Sequence, residues 1–183
     1  MYNKRNTNYQ KILLEQEKKI FRTGDLGVLW EIENENSLWT TIQRYIKRKI
    51  LYPVQRGMYS VLPLNKLDLL ELGCAVSGPH SYISGETILV KEGIIQQQVN
   101  KITLFGQKAK EFELGGNSFL CRYLNPRFLM NRAGINDGKT FSVASGERAL
   151  ADLLRANPNY YVDNQLVIRK DKLKTMQREV GYL

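Results

Sequence analysis

The segment from Leu38 to Ile50 carries apolar side chains at a spacing that places them together on one face of a helix. The intervals between them match the 3.6-residue period of an α-helix, and the residues are Leu38, Ile42, Tyr45, Ile46 and Ile50. The opposite face carries polar and basic residues, namely Thr40, Gln43, Arg44, Lys47 and Arg48. The spacing therefore predicts an amphipathic helix over 38–50 that packs one side on a core and presents a basic side outward.

A β-hairpin is predicted directly after this helix. "LYPVQ" and "MYSVL" are short runs of apolar and aromatic residues, and Gly57 between them allows a tight turn. Before the basic helix, Thr23 or Asp25 is expected to cap a shorter helix, and Ser37 to cap the basic helix itself. The order of short helix, turn, basic helix and hairpin is that of a winged helix-turn-helix module.

The charge of the chain is concentrated in this same region. The formal net charge is +9, from 27 basic and 18 acidic residues, and residues 1–66 hold 12 of the basic and 6 of the acidic ones. Between Asn36 and Leu67 there is no acidic residue and there are six basic ones. A helix that is merely solvated normally mixes both signs, so the clustering favours a polyanionic partner such as double-stranded DNA.

The expected DNA contacts lie on the basic helix and the hairpin. Gln43 can form two hydrogen bonds with adenine and Arg44 with guanine, whereas Lys47 and Arg48 suit phosphates. Gln55 and Arg56, beside the hairpin turn, are expected to touch the DNA backbone or the minor groove. The full candidate set is Thr40, Thr41, Gln43, Arg44, Lys47, Arg48, Gln55 and Arg56. The alternative is a solvated basic face without a partner.

The rest of the chain predicts a second, mixed α/β domain. We expect residues 1–62 to form the winged helix-turn-helix domain and residues 66–183 to form the second domain, so the fold class is α+β. The predicted helices are Tyr9–Ile20, Asn65–Ala75, Ser84–Glu92, Pro126–Gly134, "GERALADLLRA" after the N-cap Ser145, and a basic helix in the tail. The predicted strands are "NKITLFG", "AKEFEL", "SFLCRYL" and Gln165–Ile168, with residues 1–8 disordered and "INDGKT" a loop.

Several functional classes are disfavoured by what the sequence contains. No apolar run approaches the roughly 18–20 residues of a membrane helix, and "MYNKRNTNYQKILLEQEKK" has no signal core, so a cytoplasmic protein is expected. Cys74, Cys121 and His80 are too few for a structural zinc site, and no phosphate-binding glycine motif occurs. We expect no cofactor and no metal, with both cysteines buried.

An enzymatic alternative stays open at this point. Six carboxylates could in principle form the metal site of a nuclease, and they are Glu86, Glu92, Glu111, Glu113, Glu147 and Asp152. Lys108 and Lys110 accompany two of them in "KAKEFEL", but alternating charge on an edge strand more commonly serves solvation. We therefore expect that the protein is not an enzyme. A metal-dependent nuclease or another nucleic-acid-modifying enzyme is the alternative, and an adaptor that binds an acidic protein is a third.

Four segments together resemble the AbiEi-type antitoxins of bacterial type IV toxin–antitoxin systems. "IFRTGDLGVLWEI" and "LWTTIQRYIKRKILYPVQRGMYSV" are similar to that family's winged helix, with Thr23 and Asp25 one residue closer together than in the family pattern. "SYISGETILVKEGII" and "VASGERALADLL" are similar to two later family segments, although Ile88 stands where the family has a small residue. The resemblance spans about residues 20–155.

The resemblance implies a transcriptional repressor of its own operon that also counters a nucleotidyltransferase toxin. Its implied partners are promoter DNA and that toxin. A homodimer is expected as well, because one winged helix reads few base pairs. As motif positions on helices, Glu86, Glu147 and Asp152 are expected to cap helices or to pair with Arg148 and similar residues rather than to perform chemistry.

Overall fold

The computed structural model describes residues 8–164 and 167–183, in which eight α-helices and two sheets form an α+β protein. The chain divides into two compact units, Met1–Leu67 (the first unit) and Asp68–Leu183 (the second unit). Residues 1–7 of the predicted disordered start lie outside the described residues. So do Gln165 and Leu166 of the strand predicted at 165–168, while its last two residues lie in a turn and in coil.

The first unit contains three helices and one antiparallel sheet. The sheet has the strand order β1-β3-β2. In chain order the elements are α1 (Tyr9–Leu14), β1 (Ile20–Arg22), α2 (Thr23–Trp30), α3 (Glu35–Lys47), β2 (Tyr52–Gln55), β3 (Met58–Ser60) and a 3₁₀ turn (Leu64–Lys66).

Local hydrogen bonds set the limits of α3. The side chain of Asn34 accepts a hydrogen bond from the backbone N–H of Ser37 at 2.9 Å, so the N-cap is Asn34 and the prediction of Ser37 was wrong. The helix ends at Lys47 rather than at Ile50, because Lys49 adopts the left-handed conformation with φ 55°. At the start of α2, the Asp25 carboxylate accepts the N–H of Arg22 at 2.9 Å.

The predicted first helix is shorter than expected. It ends at Leu14, and Ile20 instead opens β1, where it pairs with Ser60 of β3. The reason is non-local, because Ile20 and Phe21 bury their side chains while their backbone completes the sheet.

The core of the first unit is centred on Trp30. The Trp30 indole is 2% exposed and lies 5.3 Å from the ring of Tyr9 and 5.3 Å from the ring of Tyr45. Leu38 and Ile42 of α3 belong to the same cluster. The apolar stripe predicted for α3 is therefore packed on α2, and this packing determines which face of α3 is exposed.

The second unit contains a six-stranded mixed sheet with the order β6-β7-β5-β4-β9-β8. Helix α4 packs on β4, β5 and β7, α5 on β5 and α7, and α7 on β9 and α8. The helices are α4 (Leu69–Ser77), α5 (Glu86–Lys91), α6 (Pro126–Leu129), α7 (Gly146–Ala156) and α8 (Lys170–Val180). The strands are β4 (Tyr82–Ile83), β5 (Lys101–Gly106), β6 (Lys110–Leu114), β7 (Asn117–Tyr123), β8 (Ile135–Asp137) and β9 (Ser142–Ala144).

In the second unit, the predicted elements agree with the structure where the hydrophobic pattern of the sequence is long. They differ from it where that pattern is short. Helix α7 begins after Ser145, whose hydroxyl accepts the N–H of Arg148 as predicted. Helix α4 begins later than expected because Asp68 caps it. The segment predicted as the loop "INDGKT" instead contributes β8, which pairs with β9, and Tyr82–Ile83 pairs with both β5 and β9.

A buried guanidinium connects four parts of the second unit. Arg148 is 0% exposed, and all five of its N–H groups donate hydrogen bonds. Nε donates to Asp152 at 2.8 Å, and one Nη donates to the hydroxyl of Tyr82 at 3.0 Å. The other bonds go to the backbone carbonyls of Phe128, Asn131 and Ala133. Because these carbonyls point at Arg148, the helix predicted through Gly134 ends at Leu129.

Two tyrosines complete this Arg148 cluster. The hydroxyl of Tyr82 donates to Asp152 at 2.7 Å, and the hydroxyl of Tyr182, beyond α8, donates to the same carboxylate. Burial and the nearby Asp152 carboxylate raise the pKa of the Tyr82 phenol, which keeps it protonated as a donor. Gly134, with φ 69°, lets the chain approach closely, since a Cβ there would lie 2.8 Å from the Cβ of Arg148.

We predict that Arg148→Ala destabilises the second unit by about 3–5 kcal/mol, because it leaves Asp152 as a buried charge without its cation. Urea denaturation followed by circular dichroism measures this loss. The matched control is Arg155→Ala on the same helix. Arg155 is exposed and lies over the ring of Phe128 at 5.7 Å, so its loss should cost less than about 1 kcal/mol. Equal losses for the two variants would contradict the structural role of Arg148.

Candidate nucleic-acid interface

The exposed face of α3 carries four of the eight residues that the sequence predicts as DNA contacts. Thr40, Arg44 and Lys47 are exposed, and Gln43 is half-buried. The hydroxyl of Thr40 donates to the carbonyl of Asn36 at 2.8 Å, so its proton is used within the helix. The buried residues of α3 are Leu38, Thr41, Ile42 and Tyr45.

Thr41 is the candidate that the structure places away from this face. Its side chain is 8% exposed, since position 41 lies three residues after Leu38 and four before Tyr45, on the packed side of the helix. A contact between Thr41 and DNA would require α3 to unpack from the core, so Thr41 is not a candidate for such a contact.

Trp39 belongs to the exposed face, although the sequence analysis did not include it. Its indole is 56% exposed, in contrast to the buried Trp30. The helical period could have identified Trp39 as exposed, because it puts residue 39 on the same side of the helix as residue 43. The tryptophan was overlooked because an apolar residue in an amphipathic helix is normally assigned to the core.

The basic residues lie towards the carboxyl end of α3. Lys47 is the last residue of the helix, and Arg48 is its C-cap. The guanidinium of Arg48 lies 5.9 Å from the ring centroid of Tyr45, which orients it on an aromatic surface. Cations at the carboxyl end of a helix are favoured by its dipole, and Lys47 and Arg48 are both exposed at this end.

The turn of the β2–β3 hairpin presents the two remaining candidates. Gln55 and Arg56 are exposed, and Gly57 has φ 70°, the left-handed region that favours glycine. The carbonyl of Gly57 accepts hydrogen bonds from the backbone N–H of Thr23 at 3.0 Å and from its hydroxyl at 3.3 Å. The start of α2 therefore holds the hairpin turn in place.

The charge along α3 changes sign from one end to the other. Exposed Glu31, Glu33 and Glu35 precede or open the helix. From Asn36 to Leu67 there is no acidic residue, and Arg44 and Lys47 follow in the last turns. The positive charge of α3 is therefore concentrated in its carboxyl-terminal half, and its first turn carries negative charge.

The carboxylates considered for a nuclease site take part in separate interactions. Glu111 forms an ion pair with Lys101, and Glu86 forms one with Arg122 at 2.6 Å. Asp152 belongs to the Arg148 cluster, so the expected pairing of Glu86 and Asp152 with arginines is confirmed. Glu113 accepts a bond from Ser118 at 3.4 Å.

Two carboxylates of the second unit do influence each other. Burial and the charge of Glu147 raise the pKa of Glu92. Across residues 8–164 and 167–183, no three His, Cys, Asp or Glu side chains are arranged to hold a metal ion.

Histidine and the cysteines offer no reactive centre in the described part of the chain. His80 is exposed in a loop with φ 63°. Cys74 and Cys121 are free and buried, as predicted, and burial raises the pKa of the Cys74 thiol to about 12, which keeps it protonated near neutral pH.

A scan against protein-family models gives no match, and a search of curated proteins gives no similar sequence. Among the described residues, no helix has the length and apolar character needed to cross a membrane.

We predict that Gly57→Ala destabilises the first unit by about 1–2 kcal/mol, because an L-residue is strained at φ 70°. Urea denaturation followed by the fluorescence of buried Trp30 measures the change. Gly24→Ala is the control, since Gly24 lies in α2 and, apart from its chain neighbours and the backbone of its own helix, no atom lies within 4 Å of an added Cβ. Alanine there should be neutral or stabilise by up to about 1 kcal/mol. Equal changes in the free energy of unfolding for the two variants would contradict the role of the left-handed conformation at Gly57.

Proposed function

We propose that the first unit is a winged helix-turn-helix that binds double-stranded DNA, with α3 as recognition helix and the β2–β3 hairpin as wing. The proposal is supported by the order of elements, helix, strand, helix, helix and hairpin, and by the sheet order β1-β3-β2. The observation that carries it is the exposed face of α3, which has its cations at the carboxyl end, and after Glu35 at the start of the helix no acidic residue follows until Asp68.

The proposed contacts divide into two kinds. Gln43 and Arg44, on the exposed side of α3, would reach base edges in the major groove. Lys47, Arg48 and Arg56 would bind phosphates, with Gln55 beside the wing tip. Base contacts provide specificity, whereas phosphate contacts provide affinity that falls as salt rises.

We propose further that the chain represses its own promoter and acts as an antitoxin against a nucleotidyltransferase toxin. The support for this part is the resemblance of the four sequence segments to AbiEi-type antitoxins. Two of those segments contribute Tyr82, Arg148 and Asp152 to one buried cluster, which is a physical reason for them to occur together. The second unit would carry the antitoxin role and dimerisation, and the chain would act in the cytoplasm.

We predict different effects for the two kinds of contact. The affinity of the full chain for its promoter should fall with salt, with a log–log slope of about −0.9 per phosphate contacted. Lys47→Ala should weaken binding to specific and unrelated duplexes alike and reduce that slope by about 1. Arg44→Ala should instead weaken specific binding by about 1–3 kcal/mol, a larger loss than it causes in non-specific binding.

Fluorescence anisotropy with labelled duplexes measures these affinities. If Arg44→Ala lowers specific and non-specific binding equally, Arg44 is a phosphate contact and reads no base. If the wild-type chain binds no duplex at low salt, the proposal that it binds DNA is wrong. An acidic protein partner then becomes the better explanation of the basic face. Incubation of the chain with the duplex and Mg²⁺ tests the alternative that the protein is a nuclease. That alternative would be supported if the wild-type chain cleaves the duplex and the Glu111→Gln variant does not.

The antitoxin role is tested by sequencing the neighbouring genes and co-expressing the chain with any nucleotidyltransferase that one of them encodes. We expect the chain to relieve growth arrest caused by that enzyme. Arg44→Ala should relieve it as well, because Arg44 lies in the first unit and the antitoxin role is assigned to the second. Arg148→Ala should fail through loss of the fold. Growth arrest that persists with the wild-type chain would overturn the antitoxin role and leave DNA binding unaffected.

A further inference from the structure

Trp39 has a position that phosphate binding does not explain. From residue 36 to residue 67, all of which the structure describes, Trp39 is the one exposed large hydrophobic side chain. An indole that is 56% exposed leaves apolar surface in water, and burying that surface in a complex is favourable. The indole carries no charge to attract a phosphate.

The neighbours of Trp39 indicate which kind of partner would cover it. Glu35 is exposed four residues before Trp39, whereas Arg44 and Lys47 are exposed five and eight residues after it, and no further acidic residue follows until Asp68. An apolar protein surface would have to desolvate these cations on docking, whereas DNA would pair them with phosphates. Duplex DNA is therefore the partner whose chemistry matches both the cations and the indole.

The helix period brings Trp39 next to a proposed base reader. Trp39 and Gln43 are four residues apart, which places them about 40° apart around α3 and about 6 Å apart along its axis. Base pairs follow one another at about 3.4 Å, so the two side chains would meet bases one or two steps apart. The major groove offers one apolar group to such a helix, the 5-methyl group of thymine.

We infer that Trp39 reads thymine by packing on its 5-methyl group, beside an adenine contacted by Gln43. The α3 contact would then select A·T pairs. The inference rests on the proposed DNA-binding function and adds a specificity-determining residue to it. A contact of Trp39 with the thymine methyl group can be distinguished from a contact with the DNA backbone, because only the methyl contact is lost when thymine is replaced by uracil.

The test begins with selection of the preferred sequence from a randomised duplex library by the full wild-type chain. The selected duplex is then prepared with each thymine replaced in turn by uracil, which removes one methyl group and leaves base pairing unchanged. We expect uracil at one α3-contacted position to lower wild-type affinity by about fourfold, the effect of one methyl group. Trp39→Ala should bind thymine and uracil duplexes equally, and Trp39→Phe should keep part of the preference.

The outcomes separate this inference from the proposed function. If no thymine-to-uracil change affects the wild-type chain and Trp39→Ala weakens binding to every duplex, Trp39 contacts the backbone and the inference is wrong while DNA binding stands. If no sequence is selected and no duplex binds at low salt, the proposed function fails first. Circular dichroism of Trp39→Ala should match the wild type because the side chain is exposed, so lost binding cannot be attributed to unfolding.

Discussion

The packing of the apolar stripe of α3 against Trp30 determines what the first unit can present to a partner. Leu38, Ile42 and Tyr45 hold the helix on α2, so α3 cannot rotate about its own axis without exposing them. This constraint places Arg44 and Lys47 outward together. A rotation by one residue position, about 100°, would bury a charge and cost more than a small domain's stability provides.

The second unit depends on a polar constraint instead. Arg148 is buried with every N–H group paired, and its partners come from α6, the chain that follows it, β4 and α7. Asp152 receives two tyrosine hydroxyls besides the guanidinium. The Asp152 carboxylate thus contributes to holding the fold together.

Sequence patterns predicted the long elements well because their signals are local. The periods of α3 and α7 and the Ser145 cap need only neighbouring residues. The short strands β1, β4, β8 and β9 were missed, since two or three residues show no period and become strands only when a distant partner pairs with them. The same limit applied to Asn34, whose capping role depends on where the preceding turn places the chain.

The sequence by itself determined the amphipathic stripe of α3, the acid-free segment from Asn36 to Leu67 and the hairpin that follows, because period, charge and turn chemistry are local properties. Only the tertiary structure decided that Thr41 is buried and that the hydroxyls of Tyr82 and Tyr182 donate to Asp152. The physical reason is that burial of a given side chain depends on which distant surface covers it. The periodicity of one segment specifies two faces, and packing between segments decides the role of each residue on them.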